Sequence, residues 1–110
     1  MNPARRRESF YHGPSRFISR PYDFEEFVHY NVSKLLQDGG MDWFFHEEGL
    51  DMDSVMYNIY YFHGAGFVIE HEFNRETNES EICLIGSNSD AKTRVANLFR
   101  LCMDAQERKD

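Results

Sequence analysis

His63-Gly64-Ala65-Gly66 lies between two aromatic-rich runs and brings together the parts of an oxyanion hole: an imidazole and glycine amides in a loop after a strand. That chemistry also requires an activated nucleophile, in the α/β-hydrolase case a serine in a G-x-S-x-G turn. Gly86-Ser87-Asn88-Ser89 lacks the second glycine, and a triad-bearing fold of that kind needs more chain than 110 residues. A hairpin turn accounts for the glycines with fewer demands. Val55, Tyr57, Ile59 and Tyr61 alternate on one side of the turn, and Phe67, Ile69, His71 and Phe73 on the other. For both sets to share a face, the loop must hold an odd number of residues, three or five. The expected register sets Tyr61 opposite Phe67 and Ile59 opposite Ile69. Such loops need positive φ where glycine costs least, so Gly64 and Gly66 read as turn residues.

Imidazoles and carboxylates offer a second chemistry. His46, His63 and His71 lie near Glu47, Glu48, Glu70 and Glu72, and such groups can hold zinc or another transition metal. No H-E-x-x-H, paired C-x-x-C or calcium-loop spacing supports them, so no metal or cofactor is expected. A small metal-dependent enzyme built on the three histidines stands as an alternative. Asp51-Met52-Asp53 suggests a magnesium site, but without a phosphate loop it reads as a solvated loop. Cys83 and Cys102 have no evident activating neighbour, and Cys102 falls on the apolar stripe of the last helix. With no secretory signal in the first twenty residues, both thiols are expected free in a reducing cytoplasm.

The elements that position these groups follow from periodicity. Residues 1–21 carry Pro3, Gly13, Pro14 and Pro21 and read as a flexible basic N-terminal arm, leaving 22–110 as one domain. Asp23 caps a helix near 23–38, whose stripe is Phe24, Phe27, Val28, Asn31 and Leu35, widened by Val32 and Leu36, and which Gly39-Gly40 ends. A helical turn is expected over Trp43–Glu48. Three strands follow, near 54–62, 67–74 and 80–86, then a helix from Ser89 or Asp90 that buries Ala91, Val95, Leu98, Phe99 and Cys102. The expected fold is α+β: a three-stranded antiparallel sheet with two helices on one face, in the order α-β-β-β-α.

Helices on one face leave the other face of the sheet uncovered. It would carry Met56, Tyr60, Phe62 and Val68, interrupted by Asn58, Glu70 and Glu72, with either Ile82 and Leu84 or Cys83 and Ile85 from the third strand. A half-apolar face must pack on something: the 41–50 segment, the arm, a second copy of the chain, or a different protein.

Charge narrows the partner. The formal net charge is -7. Residues 1–21 hold five arginines against one glutamate, a net +4, and residues 22–110 hold 18 acids against 7 bases, a net -11. A body that acidic repels nucleic acid and favours a basic protein surface. The α-β-β-β-α order also occurs in double-stranded-RNA-binding domains, but those need basic residues in the first strand link, where this chain has His63-Gly64-Ala65-Gly66. No apolar run is long enough to span a membrane.

The expectation is therefore a non-enzymatic, acidic protein-binding module. It would act by surface occlusion or nucleic-acid mimicry, as a small inhibitor or regulator such as a phage-type antagonist of a host nucleic-acid-processing or defence enzyme. Its partner-binding residues would be Met56, Tyr60, Phe62, Val68, Glu70, Glu72, Glu47, Glu48, Asp51 and Asp53. A homodimer through the outer sheet face is the variant of this reading. The alternative is nucleic-acid binding by the arm through Arg5, Arg6, Arg7, Arg16 and Arg20. Within it, the Arg5-Arg6-Arg7 cluster has two further readings, docking on the acidic body of its own chain or serving as a basic sorting signal.

Overall fold

The structure, a computed structural model, describes residues 7–17, 23–38, 40–86 and 89–107, with side chains beyond Leu101 described only at Asp104. The elements run β1 (Arg7–Pro14), α1 (Phe24–Asp38), β2 (Trp43–Glu48), β3 (Met56–His63), β4 (Phe67–Asn74), β5 (Glu79–Ile85) and α2 (Ser89–Glu107). The five strands form one antiparallel sheet in the order β1-β5-β4-β3-β2. The fold is α+β, but the expected three-stranded sheet is wrong by two strands.

Both extra strands come from segments that sequence patterning assigned elsewhere. Arg7–Pro14 is a strand paired to β5, not an arm without regular structure. Its Pro14 sits at the end of an edge strand, where a missing N–H costs little. The ring of Tyr11 is buried, with its hydroxyl donating to the Pro14 carbonyl at 2.8 Å. Phe10 stacks on Phe99 of α2. Trp43–Glu48 is likewise a strand and not a helical turn, because pairing with β3 over its whole length outweighs local preference.

The helices form as the spacing implies. Asp23 Oδ1 accepts from the Glu25 amide at 2.9 Å and caps α1. Phe24, Val28, Val32 and Leu36 then bury a stripe at three-to-four-residue spacing. On α2 the buried set is Ala91, Val95, Leu98 and Phe99; the side chains of Cys102 and Met103 lie outside the described residues. These stripes share one core with Tyr11, Ile59, Tyr61, Phe67, Ile69, Ile82 and Leu84, so both helices cover the same face of the sheet.

The central hairpin turns at Gly64-Ala65-Gly66, but its register is longer than expected. His63 opposes Phe67, Tyr61 opposes Ile69 and Ile59 opposes His71. The shift is even, so every side chain keeps its expected face. The two glycines serve different ends. Gly66 has φ +90, which closes the loop. Gly64 donates to the Asp42 carbonyl at 2.9 Å, and a Cβ there would stand 3.3 Å from the same oxygen.

Candidate protein-binding face

Pairing across the sheet sorts the outer face into rows. The first runs Phe44, Phe62, Val68, Ile85 and Arg7 from β2 to β1. The second runs His46, Tyr60, Glu70, Cys83 and Ser9, and the third Glu48, Asn58, Glu72, Glu81 and His12. An apolar row thus passes through a mixed row to an acidic one. Met56 lies beyond the acidic row, opposite Asn74, whose other neighbour is Glu79. The third strand of the expected set contributes Cys83 and Ile85 to this face and sends Ile82 and Leu84 to the core.

Neither segment expected to cover this face does so. Trp43–Glu48 and Arg7–Pro14 widen the sheet sideways, and among the described residues no element lies over it. Its aromatic side chains pack on each other instead. Phe44 stacks on Phe62 at 4.8 Å, and His46 on Tyr60 at 6.4 Å, while Phe44 keeps 63% of its surface exposed. Toward β1 the face closes on itself: Val68 and Cys83 are buried. Burial pushes the Cys83 thiol up to about 11, which leaves it protonated and unreactive at neutral pH.

Arg7 explains that closure. Its guanidinium donates to Glu70 Oε1 and Glu72 Oε2, each at 2.6 Å, and reaches Glu81 Oε1 at 3.5 Å. Partial burial works against its charge, yet the bonds to Glu70 and Glu72 hold its pKa above the ordinary value. Arg7 is thereby docked on the carboxylates of its own chain. Arg16 is exposed, and Arg5, Arg6 and Arg20 lie outside the described residues. Tyr60 has its pKa raised by burial first and by Glu70 and Glu48 next, so its hydroxyl stays a donor at neutral pH.

The loop between β2 and β3 continues the acidic end. Asp51 Oδ1 accepts from the Asp53 amide at 3.2 Å, and Arg75 donates to the carbonyls of Asp51 and Ser54. Met52 at its tip is 94% exposed. Glu47 leaves this face altogether: it points to the helix side, where it accepts from the Tyr57 hydroxyl at 2.6 Å.

That helix side holds a groove that sequence reasoning missed. A cavity of about 500 Å³ runs between the start of α1 and β2, walled by Glu25, Glu26, His29, Tyr30, Phe45 and Glu47. His29 Nδ1 bonds the Tyr61 hydroxyl at 2.9 Å, and its ring stands edge-on to Phe45 at 5.0 Å. Burial, then Asp23 and Glu47, raise the pKa of Glu25; burial, then the bond to Glu47, raise that of Tyr57. Carboxylates crowded in this way favour a cation among them. From sequence, Glu26 reads only as the capping-box partner of Asp23, three residues on, and Glu25 carries no signal. Alternation of Trp43, Phe45 and Glu47 on one face was the available signal, hidden by the helical reading of that segment.

The three histidines do not converge. His46 stands on the outer face of β2, 3.4 Å from Glu48. His63 accepts from the Ala65 amide at 3.1 Å inside the turn and stacks on Phe67. His71 is fully buried on the helix side, with Nε2 3.0 Å from Ser80 Oγ. Among the described residues no cluster of three or more His, Cys, Asp or Glu side chains is arranged to hold a metal ion. The amides of the HGAG turn are also committed: Gly64 to Asp42, Ala65 to His63 Nδ1 and Gly66 to the His63 carbonyl.

No protein-family model, curated protein or solved structure matches the chain. Among the described residues no helix is long and apolar enough to cross a membrane.

Proposed function

We propose that this chain is a non-enzymatic protein-binding module whose outer sheet face docks on a basic protein surface. The observation that carries this reading is the layout of that face: exposed Phe44 stacked on half-buried Phe62 at one end and the carboxylates Glu48, Glu72 and Glu81 at the other. Aromatic anchors supply burial at an interface, and a charged margin sets orientation and encounter rate. A module of this kind acts as an inhibitor or regulator by occluding its partner. A cytoplasmic partner that handles nucleic acid, with a basic surface of its own, fits the charge. Arg7 neutralises the carboxylates nearest β1, which leaves Glu48 and the 51–53 loop as the stronger negative end.

Site-specific photo-crosslinking tests this. A crosslinker in place of Phe44 is expected to capture a discrete partner from cells of origin, and one in place of Leu101 on α2 is not. Capture from both positions alike, or from neither at low salt, removes the reading.

A further inference from the structure

The two edges of the sheet differ in a way that points to how a partner is held. At the β1 edge the register slips between Ser9 and Tyr11, and Pro14 removes an amide; bulges and prolines blunt an edge against further pairing. The β2 edge has neither device. Gly64 donates to the Asp42 carbonyl in the β2–β3 register, so the even-numbered residues of β2 turn their amides and carbonyls to β3. Trp43, Phe45 and Glu47 turn theirs outward. Among the described residues no hydrogen bond reaches those outward backbone groups. The same edge is apolar on both sides, with Phe44 63% and Phe45 44% exposed, and the acidic groove lies directly alongside it.

We infer that the outward amides and carbonyls of Trp43, Phe45 and Glu47 take up an extended basic segment of a partner protein as a sixth strand, its basic side chains lying in the groove of Glu25, Glu26 and Glu47. Main-chain bonds to an open edge give affinity, and alternate side chains give specificity. In an antiparallel addition, partner residues bonded to Phe45 and its odd-numbered neighbours project to the helix side. There, arginine or lysine meets Glu25, Glu26 and Glu47 and the faces of Tyr30 and Phe45. The intervening residues project onto the outer face and extend the Phe44–Phe62 row, which favours apolar types. A second copy of the chain is a poorer occupant, because it would bring Glu47, Glu48 and a net charge of -7 toward the same carboxylates.

This inference rests on the reading of the chain as a module for basic partners, and the test separates the two. The probe is a fluorescent six-residue peptide of alternating arginine and valine, titrated against the full chain at low salt. Methylating its arginine amides, which would face β2, is expected to weaken binding by at least about tenfold. Methylating its valine amides, which would face solvent, is expected to leave affinity within about twofold. Amide exchange at Trp43, Phe45 and Glu47 should slow on binding. Equal affinity for both methylated peptides would retain a basic ligand and overturn strand addition. The reverse asymmetry would place the arginines on the outer face and overturn the groove assignment. No binding at all, or a dimer whose β2 amides are protected without peptide, would also overturn the inference.

Discussion

Arg7 Nη2 stands 2.6 Å from Glu70 Oε1, although the two residues are 63 positions apart and β5 lies between their strands. The contact fastens the first described strand to the middle of the sheet and sets the charge of the face between them. Arg7 keeps 43% of its side chain exposed and Glu70 12%, so the pair ranks between a surface and a buried bridge. Arg7→Ala is expected to cost about 1–2 kcal/mol in urea unfolding, less at high salt. A double-mutant cycle with Glu70→Gln should return a coupling of about 1 kcal/mol; a coupling near zero would mean that Arg7 matters through packing alone.

His71 gives stability a defined pH slope. Burial lowers its pKa to about 3, against 6.5 when exposed. Below about pH 6.5 the unfolded chain takes up a proton that the folded chain refuses until about pH 3. The contribution of His71 is therefore complete above pH 6.5 and is lost on acidification, by up to about 1.4 kcal/mol per pH unit. Glu25 works the other way, since its folded pKa is raised. Urea midpoints from pH 7 to 4 should fall, and His71→Phe should flatten the curve.

Phe44 offers a separation of stability from binding. With most of its ring in solvent, Phe44→Ser should change unfolding free energy by no more than about 1 kcal/mol. Photo-crosslinking yield or partner affinity should drop by at least about tenfold, as for an interface anchor. Core truncation gives the contrast: Leu84→Ala, at a 1% exposed position, should cost about 2–5 kcal/mol.

Two glycines with similar backbone angles should respond differently to alanine. Gly49 has φ +75 and a Cβ there would collide with the Met56 carbonyl oxygen, whereas Gly66 has φ +90 and open space around it. Gly66→Ala is expected to cost about 1–2 kcal/mol from the left-handed backbone alone. Gly49→Ala should cost more, about 3 kcal/mol or above, because the turn must also move. Thermal unfolding of the two variants side by side decides it.

The helices and the hairpin were legible because each carries one period. Phe24, Val28, Val32 and Leu36 can only be a stripe, and Val55, Tyr57, Ile59 and Tyr61 share one face at a spacing of two, as do Phe67, Ile69, His71 and Phe73. The hairpin register was two residues short because alternation distinguishes faces, not even offsets. β2 was illegible for a different reason: Phe44 and Phe45 are adjacent and both apolar, so neither period wins, and an edge strand needs no clean alternation. β1 was hidden by Gly13 and Pro14, which signal a break in a central strand but not at the end of an edge strand. The groove could not be read at all. It exists only because α1 leads from one edge of the sheet to the other and sets Glu25 beside Glu47.

That same path carries a consequence for biosynthesis. Arg7 pairs with Ile85 and Pro14 with Glu79, so during translation β1 waits for nearly the whole remaining sheet to be made. Until then the backbone of β1 has no strand to pair with, and Arg7 lacks Glu81, the β5 member of its carboxylate trio. Closing so long a loop is entropically costly and slow. Nascent copies halted before β5 should therefore present the unpaired backbone of β1 to chaperones, an exposure that ends once Cys83 and Leu84 clear the ribosome.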